Sequence, residues 1–446
     1  MSNFWRYFKQ LGLNKKLFWL YLVLIFVEGA MRKWFMPGLS DLWMMSREPI
    51  VMWTVLSLMW TRHLRSNVAK AFMVIGLIML ITTLTFGHGD IAVALFGFRI
   101  WFLHIPYIFI MAQLLNRNDL IWICRFLLIV FLPMTVLYVV QWASPPNTWV
   151  NAAIKGVISE MKETANGAVR PSGTFGFNKA ASYYNPVVVA LFTATCFSKY
   201  YRERLLVVKH SFFLLCIAVI VTLITSVSRG AIVLSAITLT LVSVVLLFIG
   251  NPKRLTQMAF GLLVICATFA IFSNVSIEGK TLLAPITSRF ETAAEVEGGA
   301  DGIIGARVIE PYAFWRDKGE PLDPPIFGYG IGAGSNFGTK RLHLGDAWGL
   351  GEWTNQIVTN EMGLIFGCLV CLLRLGFCVY CLPKAFHCAS RRGDILPICL
   401  WTLSIEFFSR GDINLVMTLG WVVILMILLI ASIRLSVNTG ELLKRK

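Results

Sequence analysis

The chain has 446 residues, of which 57% are hydrophobic and only 14% charged, where soluble domains carry about 25% charged residues. That balance excludes an ordinary soluble enzyme and indicates a polytopic membrane protein. The formal charge of +16 is scattered in short clusters between apolar runs, which is the pattern of topology signals and not of a nucleic-acid-binding stripe.

Taken in chain order, the apolar runs and their charged flanks predict an all-α polytopic membrane protein, a single integral membrane domain over 1–446 with about twelve helices. They fall near 17–35, 42–61, 69–86, 92–115, 119–142, 182–199, 210–227, 230–249, 256–273, 356–382, 395–409 and 413–433. The first run lacks a small-residue cleavage site and ends in EGAMRKWFMPG, so it reads as a membrane helix and not as a signal peptide. One set of connections holds Arg6/Lys9/Lys15/Lys16, Arg62/Arg65/Lys70, Arg117, Lys199/Arg202/Arg204/Lys209, Lys253/Arg254, Lys384/Arg391/Arg392 and Lys444/Arg445/Lys446. The positive-inside rule places that set, and both termini, in the cytoplasm. The opposite face then owns two long loops, 143–181 and a larger one over 274–355 between the ninth and tenth helices, with short turns at 87–90, SVSRG and 409–413. Long loops on a rigid helical scaffold are where function concentrates. The two halves differ in helix spacing and loop length, which tells against an inverted-repeat transporter. Cys368, Cys371, Cys378 and Cys381 form two CxxC pairs, but on one apolar helix, where cysteine packs as a small hydrophobe.

Ionisable groups inside a membrane are costly unless paired or facing a wet cavity. The expected topology assigns them a depth. Glu28 and Arg32, spaced i,i+4, close the outer end of the first helix, and Arg99 and His104 lie in the outer and middle parts of the fourth. Arg229 caps the turn between the seventh and eighth, Glu361 sits in the first outer turns of the tenth, and Glu406 and Arg410, again i,i+4, close the eleventh. Arg125 and Arg374 fall outside this layer and read as snorkelling or pairing between helices. Two readings stay open. A lone arginine at a hairpin is an ordinary snorkelling anchor, and i,i+4 pairs are ordinary helix-surface pairs. Gathered at one depth, the same groups read as a polar cavity, cationic near Arg229, fitted to an anionic lipid-linked ligand because a guanidinium fork matches phosphate oxygens.

The segments RPSGTFGFNKAASYY, TSVSRGAIVLSAITL, IFGYGIGAGSNF and TNQIVTNEMGLIFG, in this order and spacing along the chain, resemble motifs of the O-antigen polymerase and O-antigen ligase superfamily of bacterial membrane proteins. TSVSRGAIVLSAITL resembles its SRGA helix start, and RPSGTFGFNKAASYY its outer-loop segment before the next helix. IFGYGIGAGSNF is similar to its GxGxG segment, and TNQIVTNEMGLIFG to its HNxYL helix start. The resemblance spans roughly 170–370, with its core over 182–370, and the whole topology loosely. It implies a metal-independent glycosyltransferase of GT-C type in the bacterial inner membrane, with no cofactor. Such a protein acts on the periplasmic face and moves glycan from an undecaprenyl-diphosphate donor to a sugar hydroxyl. Implied partners are that donor, membrane lipids, and a chain-length regulator and flippase of the same pathway. Carried over, the diphosphate-engaging arginines are Arg229 and Arg307 of IIGARVIEPYAFW, with Arg170 and Arg289 as further candidates. Arg99, Asn355 and Glu361 complete the expected substrate-binding set.

One departure matters. Where the ligase pattern has His-Asn, this chain reads EWTN, with Thr354 in the histidine position and Asn355 in step. Glu352 is then the expected base, ahead of His343 and Asp346, provided its geometry and proton affinity suit. This departure favours polymerisation of lipid-linked repeats over ligation to lipid A-core, and a lipid-linked glycan flippase is a third reading. Trp149, Tyr312, Trp315, Tyr329, Trp348 and Trp353 suit either sugar stacking or an interfacial aromatic belt. GYGIGA fits G-x-G-x-x-G/A, yet it lies in an outer loop without the βαβ frame of a dinucleotide site. Its glycines read instead as permitting tight turns or close backbone approach.

Overall fold

The computed structural model describes residues 2–61, 64, 66–156, 169–206, 211–249, 276–277, 280–281, 287, 325–344, 353–411 and 413–436. The expected helix at 256–273, most of the 274–355 loop, and Arg289, Arg307 and Glu352 lie outside the described residues. So do Tyr312, Trp315, Asp346 and Trp348.

Each of the other apolar runs carries helix. The chain begins with α1 (Ser2–Lys9) and α2 (Leu13–Ala30), the latter prolonged by a π turn at Met31–Phe35. α3 (Glu48–Leu58), α4 (Asn67–Thr85) and α5 (Ile91–Leu114) follow, α5 containing a π turn at Arg99–Leu103. Next come α6 (Arg117–Ala143), α7 (Asn178–Phe197), α8 (Lys199–Leu205), α9 (Ser211–Thr225) and α10 (Arg229–Phe248). The last four are α11 (Asn336–Arg341), α12 (Thr354–Arg392), α13 (Leu396–Ser409, π-helical over Ile405–Ser409) and α14 (Val416–Arg434). Among the described residues, seven helices (α4, α5, α6, α7, α10, α12 and α14) are long and apolar enough to cross a membrane; at 1.5 Å per residue, about 20 residues span the hydrocarbon core.

Local chemistry sets the boundaries. Asn116 and Asp119 form a reciprocal capping box that starts α6, while Asp90 accepts from the amides of Ala92 and Val93 to start α5. The expected helix over 42–61 is broken into Ser40–Met44 and α3. Pro49, with no amide to donate, sits comfortably only in a first turn, so the helix restarts there. α12 runs past its expected end at 382, through Pro383, and stops at Gly393 in the left-handed conformation of a helix cap (φ 66°).

Burial orders the bundle. The membrane-length windows of α14, α5 and α7 are 83%, 78% and 78% buried, against 28% for α10 and 33% for α4, so the first three form the centre and the last two present side chains outward. At that centre Trp421 stacks on Tyr184 with ring centroids 4.7 Å apart, and Phe26 and Phe175 meet both rings edge-on. Phe175 comes from the 143–181 connection, expected as a long loop of the face opposite the basic connections; most of its 169–176 segment is buried against the core. Among the described residues, Lys15 and Tyr7 meet Asp119 (2.6 Å each) and Arg117 and Tyr201 meet Asp394 (3.2 and 2.6 Å), which ties the starts of α2 and α6 to α8 and the α12–α13 connection at one end of the bundle. Arg125, expected to snorkel or pair between helices, donates to the carbonyl of Arg204 at the end of α8. Arg374, fully inside the bundle, donates to the carbonyl of Phe408 where α13 ends.

Candidate functional site

The opposite end of the bundle collects three helix N-termini. Ser228 caps α10, accepting from the amide of Ala231, and its hydroxyl is hydrogen-bonded at 2.8 Å to that of Ser182, just past the first turn of α7. Tyr183, the next residue, packs on Phe407 of α13 with centroids 4.3 Å apart. Just beyond α13, Arg410 pairs with Glu406 at 2.9 Å and lies over the ring of Trp353, 5.6 Å from its centroid. Trp353 is the residue ahead of α12, and Thr354 and Asn355 are buried in the first turn of that helix. Arg229, the first residue of α10, is half-buried at this convergence. Unsatisfied amides and the aligned peptide dipoles give each N-terminus a partial positive charge. Together with Arg229 they favour an anion at this convergence, Arg410 being paired with Glu406.

The turn that delivers Arg229 is strained. Val227 has φ +46°, in the left-handed region that costs a β-branched residue of order 1–3 kcal/mol. Its side chain is buried, so packing holds a conformation the backbone disfavours. Strain of that kind is concentrated at working sites.

Glu361 belongs to a second cluster. Its carboxylate accepts from the amides of Gly332 (2.9 Å) and Gly334 (2.8 Å) and from the indole N–H of Trp101 (2.7 Å). Gly363, with φ 75° and ψ 166°, interrupts α12 at this point, which frees two helix carbonyls to take other donors. Tyr329 donates its amide to Asn360 and Gly330 to Glu361, at 2.9 and 3.0 Å. The glycine-rich segment therefore lies as a strap across α12 and α5. Glycine is required: a Cβ at Gly328 (φ +75°) would stand 2.3 Å from the Glu361 carbonyl, and one at Gly332 (φ +90°) 2.3 Å from that of Val93. The close backbone approach expected of GYGIGA is thus made to the protein's own helices.

The strap's far end is tied by Arg341, whose Nε is 2.7 Å from Asp90. The Val93 amide first, and the Arg341 partner next, hold the Asp90 carboxyl below the ordinary carboxylate range. A depressed carboxylate contributes fully above its unfolded-state pKa and loses its contribution as pH falls through the folded value. Proteolytic nicking of 335–344 is accordingly expected to stay slow from neutral pH down through the usual carboxylate range and to rise only at stronger acidity; Asp90→Asn should remove that dependence. His88 beside it donates from Nε2 to Ile331 and accepts the Asp90 amide at Nδ1; burial lowers its pKa, which favours this neutral tautomer.

Arg99 belongs to a third cluster, between α2, α3 and α5. Glu28 is bridged by Arg32 and Arg47 at 3.1 and 3.0 Å, and Glu48 faces Arg99 at 3.4 Å and His104 at 3.7 Å. Arg170 is half-buried at the start of the 169–177 segment. That segment is held by Lys33, which donates to the Ser172 hydroxyl and the Gly173 carbonyl, and by Gln141, whose side-chain oxygen accepts from the backbone amides of both residues.

Among the described residues, then, the expected layer of charge is partitioned into local clusters because each buried carboxylate is taken up by its nearest donors, cationic at Glu28 and Glu48 and neutral at Glu361. Arg229, Asn355, Glu406 and Arg410 share one region; Glu361 and Arg99 do not join it directly. Sequence reading missed Arg47 and Glu48, although SREP interrupts an apolar run. It did not single out Ser182 and Tyr183, although both lie at the end of the quoted RPSGTFGFNKAASYY segment. No family model matches the chain, and no curated protein matches it.

Proposed function

We propose that this protein is a bacterial inner-membrane glycosyltransferase that polymerises undecaprenyl-diphosphate-linked oligosaccharide repeats into a surface polysaccharide at the periplasmic face. In this reading the chain crosses the membrane twelve times with both termini in the cytoplasm, and 274–355 is the large periplasmic loop. The observation that carries it is Arg229 held by a strained turn where the N-termini of α7, α10 and α12 meet. The leaving group of such a transfer is a diphosphate, so the protein's task is to neutralise developing negative charge and to align the attacking hydroxyl. Arg229 and the helix N-termini serve the first need, with Arg170, Arg289 and Arg307 as additional cations. Asn355 and the aromatic Trp353 serve the second by holding sugar.

The test is direct. Purified full-length protein supplied with a lipid-diphosphate glycan should lengthen it. In cells, deletion should remove long surface chains while single repeats remain attached. Free lipid-linked polymer in the deletion strain would assign ligation in place of polymerisation, and unchanged surface glycan would remove both.

A further inference from the structure

We infer that Arg99 anchors a second anion site, one that takes the phosphate group of a membrane lipid where α2, α3 and α5 meet. The inference goes beyond the transfer proposed above and does not depend on it. Arg32 and Arg47 both close on Glu28, and Arg99 meets Glu48 at 3.4 Å. Three guanidinium groups therefore share two carboxylates, and all five residues are more than nine-tenths buried. His104, 3.7 Å from Glu48, brings no negative charge in either protonation state. Asp41, between the two glutamates in sequence, has a side chain 78% exposed and turned to Lys155 at 3.6 Å. An uncompensated cation in a membrane-length helix is costly until an anion meets it.

The excess falls on Arg99. Arg32 also donates to the Ser40 hydroxyl at 3.0 Å, and Arg47 to the Val416 carbonyl at 2.7 Å. Arg99 has no such second oxygen among the described residues. Its Nε faces Glu48 out of hydrogen-bond alignment, Nη1 meets only the Met45 sulfur at 2.7 Å, and the buried Nη2 meets no acceptor. A thioether is a weak acceptor, so the terminal Nη1–Nη2 edge is left for a ligand. That edge offers two N–H donors side by side, matched to two oxygens of a phosphate. The Phe96 ring, 4.6 Å from Arg99 Cζ, covers a face of the guanidinium and not this edge.

The surroundings select a lipid. Met45 is 38% exposed, so one flexible side chain separates the edge from the surface. It follows the Ser40–Met44 helix, which packs on the turns at Met31–Phe35 and Pro37–Leu39. Phe35, Leu39 and Leu42 are exposed there, and a hydrocarbon chain lies along them while its phosphate enters. A free phosphate ion would gain nothing from that surface. On binding, one phosphate oxygen takes the place of the Met45 sulfur at Nη1 and a second accepts from Nη2, while Glu48 stays on Nε.

The experiment uses the purified full chain, delipidated in neutral detergent, and reads lipid retention and thermal melting. The probes are phosphatidylglycerol and a polyprenyl diphosphate, with diacylglycerol as the phosphate-free control. At least one phosphate-bearing probe should bind and raise the melting temperature where diacylglycerol does not; which one does so tells a bilayer lipid from a prenyl carrier. Arg99→Gln should weaken that binding about tenfold or more. Met45→Glu supplies an acceptor from within the chain, so it should abolish binding while lipid-free melting stays at or above wild type. This variant keeps Arg99 and Glu48, and it decides the matter even if Arg99→Gln folds poorly. Lys199→Gln, which removes one exposed charge from the far end of α7, should bind as wild type does. Four results would overturn the site: no preference for either phosphate lipid over diacylglycerol, wild-type affinity in a folded Arg99→Gln, wild-type affinity in Met45→Glu, or an equal loss in Lys199→Gln.

Discussion

Replacing Arg229 with alanine is expected to lower turnover of a lipid-diphosphate glycan about 10²–10³-fold, the range seen when one preorganised donor to developing negative charge is removed. The fold should survive. Arg229 is the first residue of α10 and half-buried, and the cap on that helix comes from Ser228, which the substitution leaves in place. The loss should therefore appear in rate and not in melting temperature. Arg229→Lys keeps the charge but gives up the planar fork that matches two phosphate oxygens, and should fall between wild type and alanine. Initial rates with purified protein, alongside thermal melting in detergent, separate the two effects; unchanged rates in both variants would remove Arg229 from the site.

Glu361→Ala should act the opposite way, on stability first. Three donors now converge on that carboxylate, the amides of Gly332 and Gly334 and the Trp101 indole. Alanine leaves all three without that acceptor, two of them buried, and each buried unpaired donor costs about 1–3 kcal/mol. A destabilisation of about 3 kcal/mol or more is expected, with the strap over 325–344 becoming the first region cut by protease. Glutamine is not a remedy, because its amide group would turn a donor toward donors on one side. Melting in detergent and limited proteolysis of Glu361→Ala and Glu361→Gln check this, and wild-type protection of the strap in both would refute the pinning role.

What could be read in advance divides by the range of the interaction. Membrane helices were legible because a run such as 119–142 must satisfy its backbone internally and present apolar side chains throughout, and both demands are written locally. The i,i+4 pairs Glu28–Arg32 and Glu406–Arg410 were legible for the same reason, since their spacing fixes their contact. The partners of Arg99 were not: Glu48 lies on another helix, and only packing brings them together. Glu361 was identified as a buried charge, yet its partners come from a glycine segment that a linear reading assigns to open loop. Pro49, where α3 restarts, and Gly363, which breaks α12 where the glycine strap takes up the freed carbonyls, were visible as residues but not as sites of use.

The π turns at 31–35, 99–103 and 405–409 hold Arg32, Arg99 and Glu406 respectively. A π turn closes its hydrogen bonds one residue later than an α-turn, so each is equivalent to a single-codon insertion accommodated without unwinding the rod. Excising one residue from any of them would restore ordinary winding and swing everything downstream by about 100° around the axis, carrying the acidic or basic group out of its niche. Descendants that lack one of the three inserted residues should accordingly lack the adjoining charge as well, so lineage-specific gaps at these three places would serve as a genetic record of when the polar machinery was gained.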